Sequence, residues 1–327
     1  MGSIGTHGGE RVMRRFAFLF PGQGAQIPGM GQDFYDAFPI AKQTFEEADE
    51  RLGESFSRFI FEAPASELTM TNRAQLAIFI VSTAILRTVK EQFPALEPHV
   101  CAGLSLGEYT AVMAAGKISF GDALGLVRVR GDAMHEACGL EKGTMFVVLG
   151  LSEEAVAEAL DSLREQRVWI ANLNCPSQVV IAGAEREMPR AIEALKAKGA
   201  KKILPLDVAG AFHSQLMHSA QQKLGPRIEA APFTNSQTQL VMNVPGDFVS
   251  ELSLIRRYLF EQVVSPVRWE RGMRAMDDTI DVYLEMGPGK SLSGMNKRIG
   301  VKGVTLSVEK VTDLESIVTQ LEASCSC

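Results

Sequence analysis

The fold turns on Val100-Cys101-Ala102-Gly103-Leu104-Ser105-Leu106-Gly107-Glu108-Tyr109. The apolar run after Pro98 predicts a short buried strand over 100–103, and residues 107–115 read as a helix. Between them, Gly103-x-Ser105-x-Gly107 forces a sharp strand-to-helix turn. The glycines permit the crowding, and the serine hydroxyl is lifted clear of the sheet. A strand, an elbow and a helix in this order belong to an α/β protein.

Working outward, a strand over 16–20 runs into the tight turn Pro21-Gly22-Gln23-Gly24 and then into helical segments that reach Leu52, with Gly53 as a stop. A further helix is expected over 74–93. Downstream, a strand over 282–286 ends in Gly287-Pro288-Gly289, and a last strand and helix fill 303–323. Between 140 and 206 the pattern changes to strand 144–150, helix 153–164, strand 168–174, strand 178–182, helix 185–198 and strand 202–206. This βαββαβ order is that of a ferredoxin-like unit. The expected fold class is therefore α/β: an α/β-hydrolase-like core over 14–139 and 207–327, carrying an inserted ferredoxin-like subdomain over 140–206. Residues 1–13 read as a disordered leader or tag remnant.

The totals agree with a folded enzyme-sized chain. Its 327 residues are 46% hydrophobic and 22% charged, the balance of an ordinary globular protein. A net charge of −6 argues against a general nucleic-acid binder, which needs a concentrated basic surface. Five cysteines without a Cys-x-x-Cys pair make neither a disulfide framework nor a zinc site, so a reducing, cytoplasmic setting and no metal are expected. No apolar stretch approaches the roughly 20 residues that span a bilayer.

Ser105 is the candidate nucleophile. A developing oxyanion beside it needs backbone donors, and the N–H of Leu106, at the start of the following helix, is the first. The turn at Gln23 offers a second, because glycine-rich turns expose backbone amides. Ile27 stands where a dinucleotide fingerprint requires its third glycine, which removes that reading of the turn.

A serine nucleophile needs a base. Of the five histidines, His7 falls in the leader, His99 precedes a strand, His135 sits on the polar face of its helix, and His218 lies within a helix without distinguishing neighbours. His213, in Gly210-Ala211-Phe212-His213-Ser214, falls at a loop-to-helix junction. There a positive helix end favours the neutral imidazole that a base requires.

The helix expected over 120–138 carries one residue out of place. At about 100° per residue, Arg128, Asp132, His135 and Glu136 gather on one side, whereas Arg130 projects among Ala123, Met134 and Ala137. A buried guanidinium requires an anionic partner. That partner is an acid elsewhere in the chain or a substrate carboxylate clasped by the planar fork, unless the stem carries the charge out to water.

Taken together, these residues resemble the acyltransferase family typified by bacterial malonyl-CoA:acyl-carrier-protein transacylases. The runs that carry the likeness are Phe20-Pro21-Gly22-Gln23-Gly24, Leu104-Ser105-Leu106-Gly107-Glu108-Tyr109, Arg130-Gly131, the stretch from Asn172 to Gly183, Ala211-Phe212-His213-Ser214, and Glu285-Met286-Gly287-Pro288-Gly289-Lys290. The resemblance implies ping-pong transfer of a malonyl group from malonyl-CoA to the phosphopantetheine thiol of an acyl carrier protein, without a cofactor, by a monomer serving fatty-acid synthesis. It implies that Ser105 carries the acyl group, His213 is the base, Arg130 binds the malonyl carboxylate, and the amides of Gln23 and Leu106 form the oxyanion hole. It further implies that the main-chain carbonyl of Gln262 orients His213, that Gln75 lines the pocket, and that Phe212 belongs to the malonyl-selecting version of its motif. Lys290, Lys297 and Arg298 become candidates for docking an acidic carrier. The chain departs from the family at Leu104, where many members carry histidine, and at Leu76, where proline is usual. The rival is a serine esterase or thioesterase on the same elbow, which calls for an acid between Ser105 and His213 in chain order, with Asp207 the candidate.

Overall fold

The computed structural model of the chain describes residues 14–163 and 167–322. The leader read over 1–13, the end of the helix expected over 153–164, and residue 323 lie outside them. Strand β1 (Phe16–Phe20) is buried along its whole length, as a strand covered on both faces must be. Its alternation divides two cores: Phe16, Phe18 and Phe20 enter one, Ala17 and Leu19 the other. Helices α1 (Gln32–Ala37), α2 (Pro39–Leu52), α3 (Phe56–Glu62), α4 (Ala65–Leu68) and α5 (Thr71–Gln92) lead to β2 (Pro98–Gly103). Helix α2 stops at Gly53, whose φ of 71° is the left-handed stop that glycine takes without strain. The elbow follows, then α6 (Gly107–Ala114) and α7 (Phe120–Leu140). The Ser119 hydroxyl caps α7 by accepting from Asp122 N–H.

The middle of the chain keeps the expected order: β3 (Gly143–Leu149), α8 (Glu153–Asp161), β4 (Val168–Cys175), β5 (Gln178–Ala184), α9 (Met188–Ala197) and β6 (Lys202–Pro205). These four strands form their own sheet, ordered β4-β5-β3-β6, with every neighbour antiparallel. Its apolar core of Val148, Val156, Ile181, Met188 and Leu195 is separate from the two around β1.

The rest of the chain forms α10 (His218–Ala230), β7 (Gln239–Met242), β8 (Asp247–Val249), α11 (Leu252–Glu261), α12 (Trp269–Met276), β9 (Val282–Met286), α13 (Ser291–Ile299), β10 (Val304–Val308) and α14 (Leu314–Glu322). The main sheet is ordered β10-β9-β1-β2-β7-β8. All its pairs are parallel except β7 with β8. The protein is thus a mixed α/β chain with a predominantly parallel main sheet. Sequence patterning did not anticipate β7 and β8, which are short and, unlike the equally short β6, do not complete a repeating order of elements. It also passed over α12 and α13.

The second sheet is tied to the rest of the chain at β4 through Val267, in the segment before α12: Leu173 N–H donates to Val267 O at 2.8 Å, and Val267 N–H donates to Ala171 O at 2.9 Å. In the main sheet, the carboxyl ends of β1, β2 and β9 lie side by side. That places the turn after Phe20, the elbow after Gly103 and the turn after Met286 along one crevice, where open parallel sheets bind ligands.

Candidate active site

The elbow is as tight as its glycines imply. A Cβ on Gly103 would stand 2.0 Å from the Gly107 backbone, one on Gly107 would stand 2.0 Å from Phe20 O, and one on Gly22 would stand 2.5 Å from Leu104 O. Only hydrogen fits at these positions, so the turn carrying Gln23 packs directly on the turn carrying Ser105. The strain falls on the serine itself, with φ +53°, a region that non-glycine residues seldom occupy. Asn243 holds it there, its Oδ1 accepting Ser105 N–H at 2.7 Å and its Nδ2 donating to Gly103 O at 2.7 Å.

Ser105 Oγ and His213 Nε2 are 2.7 Å apart. His213 is itself held at φ +57°, and its Nδ1 lies 2.8 Å from the carbonyl oxygen of Gln262. A carbonyl only accepts, so Nδ1 carries the proton and Nε2 is left to accept from the serine. Burial, then the charge of Arg130, pushes His213 down to about 4. The neutral imidazole expected from sequence is present, but its cause is desolvation and a neighbouring cation rather than the helix end. Asp207 is exposed and makes no contact with His213, whose acceptor is the Gln262 carbonyl.

Arg130 is 1% exposed, and no carboxylate forms an ion pair with it among the described residues. The expectation of an acid elsewhere in the chain is thereby corrected. Its partners are neutral oxygens: Nη1 donates to Gln75 Oε1 at 2.6 Å, and Nη2 donates to Gln262 Oε1 at 2.9 Å and to Ser105 Oγ at 3.1 Å. Its guanidinium also lies over the Tyr109 ring, 5.4 Å from the centroid. Burial pulls its pKa below the ordinary arginine value, and Nε is buried without a hydrogen-bond partner. A buried cation held by neutral groups beside the elbow serine is chemically suited to bind an anion there.

The cleft above these groups measures about 450 Å³. It is lined by Gln23 and Gly24 after β1, by Ser105 after β2, by Gly289 and Ser291 after β9, by Arg130 and Met134 of α7, and by Phe212 and His213. The second sheet closes it with Met145, Asn172, Asn174 and Gln178. Thus Ser105, His213, Arg130, Gln75, Phe212, Gln262, Gln23 and Leu106 come together although they are scattered from 23 to 262. Among the described residues, neither Gln23 N–H nor Leu106 N–H donates to another protein group. Of the proposed docking residues, Lys290 pairs with Asp313 at 3.7 Å and Arg298 donates to Gln178 Oε1 at 2.8 Å, while Lys297 is exposed on α13.

Two residues of the network escaped sequence reasoning. Asn243 follows β7, a strand too short to be read. Glu108, 1% exposed, accepts from Asn243 N–H through Oε1 and from Gln262 Nε2 through Oε2, both at 2.5 Å. Burial pushes its carboxyl up to about 8, against those two donors and the charge of Arg130. An acid in the first turn of an otherwise apolar helix was the available signal.

Residues 17–310 match the family model described as the acyl transferase domain. The chain belongs to the acyl transferase family. This acyl transferase is 41% identical over 313 residues to the malonyl CoA-acyl carrier protein transacylase of Bacillus subtilis, covering 95% of the chain and 98% of that relative. Among solved structures, an acyl carrier protein S-malonyltransferase from Vibrio cholerae superposes with a TM-score of 0.88 at 37% identity, over 93% of this chain and 99% of that one. A malonyl-transacylase in complex with its type II polyketide synthase acyl-carrier protein superposes with a TM-score of 0.89, also at 37% identity, over 94% and 99%.

Proposed function

We propose that this acyl transferase moves a malonyl group from malonyl-CoA to the phosphopantetheine thiol of an acyl carrier protein, through a malonyl ester on Ser105. The observation that carries the reading is the buried, acid-free guanidinium of Arg130 lying 3.1 Å from Ser105 Oγ. An acyl group bearing its own carboxylate supplies the missing anion and is thereby aligned on the serine. Acetyl groups have nothing to offer it. The names of the relatives and the carrier-bound neighbour support the same substrates.

In the first half-reaction His213 Nε2 takes the hydroxyl proton as Ser105 Oγ attacks the thioester carbonyl. The oxyanion of the tetrahedral intermediate meets the N–H groups of Gln23 and Leu106. The carbon–sulfur bond breaks, and the imidazolium returns its proton to the departing CoA sulfur. In the second half-reaction the carrier thiol gives its proton to His213 and attacks the malonyl ester, and Ser105 Oγ takes the proton back. The Gln262 carbonyl holds the imidazole in the tautomer required by both halves, without the full negative charge of a triad acid. One thioester is exchanged for another, so no metal or redox cofactor takes part in the scheme.

Within this reading the main sheet is an α/β-hydrolase-like core over 14–139 and 207–327, and 140–206 is a ferredoxin-like subdomain, in keeping with the antiparallel β4-β5-β3-β6 order. Gln75 and Phe212 shape the acyl pocket. The chain acts as a cytoplasmic monomer that supplies fatty-acid synthesis, its carrier approaching over Lys290, Lys297 and Arg298. No helix among the described residues is long and apolar enough to cross a membrane. The hydrolase reading lacks its acid, since Asp207 is not at His213.

Intact-protein mass spectrometry after mixing with malonyl-CoA tests the proposal. The expected result is one malonyl adduct, located on Ser105 and discharged by a holo carrier protein. An adduct that persists in Ser105→Ala, or malonate release that outpaces transfer, would defeat it.

A further inference from the structure

Glu108 takes no part in the scheme above, yet its two oxygens are linked through Asn243 and Gln262 to Ser105, His213 and Arg130. Through Oε1 it accepts from Asn243 N–H, and Asn243 in turn fixes Ser105 N–H and Gly103 O. Through Oε2 it accepts from Gln262 Nε2, and Gln262 contacts Arg130 through Oε1 and His213 through its backbone carbonyl. A single buried carboxyl group therefore ties together the elbow, the base and the guanidinium.

The Gln262 amide is the joint that matters. An amide has a donor end and an acceptor end, and a flip exchanges them. In the observed orientation Nε2 donates to Glu108 Oε2 at 2.5 Å and to Ser105 O at 2.9 Å, which turns Oε1 toward Arg130 Nη2. Flipped, it would aim an NH₂ group at a guanidinium, donor against donor. The spacing has a second consequence. A carboxyl group in direct contact with Arg130 would occupy the fork, whereas one set back behind an amide leaves the fork open to a ligand.

We propose that Glu108 is a positioning residue for the substrate carboxylate: by accepting from Gln262 Nε2 it sets the amide that holds Arg130 against Ser105, and so sets the preference for malonyl over acetyl groups. The inference rests on the malonyl-transfer reading.

The test measures loading of Ser105 by malonyl-CoA and by acetyl-CoA, in the full chain, for wild type, Glu108→Gln, Gln262→Met and Arg130→Ala. Glu108→Gln keeps the shape but places a donor where an acceptor stood. Gln262→Met removes the amide and keeps the backbone carbonyl that faces His213. Each is expected to lower the malonyl-to-acetyl loading ratio about tenfold, mainly by raising KM for malonyl-CoA, the size of one lost charge-assisted hydrogen bond. Glu108→Gln added to Arg130→Ala is expected to lower the ratio no further. A carboxyl that kept its proton on Oε2 would behave as the glutamine does. An unchanged ratio in Glu108→Gln therefore overturns the inference, and so does an unchanged ratio in Gln262→Met, which carries the kinetics if Glu108→Gln does not fold. Should wild type load neither acyl group, the malonyl reading fails, and crystal structures of the two variants decide the positioning role separately. Arg130 Nη2 displaced from Ser105 Oγ supports it; Arg130 unmoved overturns it.

Discussion

Arg130 Nη2 donates to Ser105 Oγ across 3.1 Å, from a guanidinium that touches no carboxylate among the described residues. The proposed nucleophile and the cation proposed to hold the far end of its substrate are thus in direct contact. On the proposed mechanism, a malonyl carboxylate entering the cleft would replace this hydrogen bond with a bidentate pair and free the serine oxygen for attack.

Arg130→Ala is expected to reduce malonyl loading about a hundredfold, the scale of a lost charge-assisted pair in a buried site, while acetyl loading stays the same or rises. Parallel single-turnover measurements with the two thioesters check this. An equal loss for both acyl groups would make Arg130 a structural residue.

The rate with acetyl-CoA is expected to resist acid. His213 is pushed down to about 4 by burial and by Arg130, and the reaction uses the neutral ring, so kcat/KM should stay level as pH falls from 8 to about 5 and drop only near 4. Removing the positive charge in Arg130→Ala favours the imidazolium and moves that acid limb upward by about one unit. With malonyl-CoA the bound carboxylate offsets Arg130, so the limb in kcat should lie above the limb in kcat/KM. A pH–rate profile with the three combinations reads all of this, and an unmoved limb in Arg130→Ala would contradict the assigned cause.

Two glycine-to-alanine substitutions should behave in opposite ways. At Gly107 the added methyl meets Phe20 O at 2.0 Å, and backbone cannot yield as a side chain can, so Gly107→Ala should destabilise the protein by about 3 kcal/mol. At Gly125, exposed on α7 with nothing within 4 Å of the added Cβ, alanine should stabilise by about 0.5–1 kcal/mol through helix propensity. Urea denaturation of both variants provides the comparison.

Asp207→Asn is expected to leave transfer within about twofold of wild type, since surface changes away from a site seldom exceed ~0.5 kcal/mol. A large loss would revive the hydrolase-like triad with Asp207 as its acid.

Much of the fold was legible because it is written in local patterns. The elbow needs glycine at 103 because a Cβ there would meet Gly107, four residues on, and the βαββαβ order shows itself in alternating periods. Four-residue β6 was legible as the last member of that order, whereas β7 and β8 are short and belong to no such order, so they, and with them Asn243, stayed hidden. In the candidate site, Ser105 was legible by its turn and Arg130 by standing on an apolar face.

The sequence by itself determined the α/β order, the elbow that carries Ser105 and the presence of an arginine on an apolar helix face, each a matter of neighbours in the chain. The placing of His213 at a loop-to-helix junction singled it out among the histidines and the resemblance named Gln262 and the malonyl group, but only tertiary structure decided what holds them. The parallel order of β9, β1, β2 and β7 brings three turns to one crevice, and Asn243, Gln262 and Glu108 meet there from distant segments. Which oxygen faces which donor, and hence that Arg130 is left without an acid, is fixed by hydrogen bonds between residues 25 to 157 positions apart. No local pattern records a contact of that kind, because its partners share neither a helix face nor a strand register.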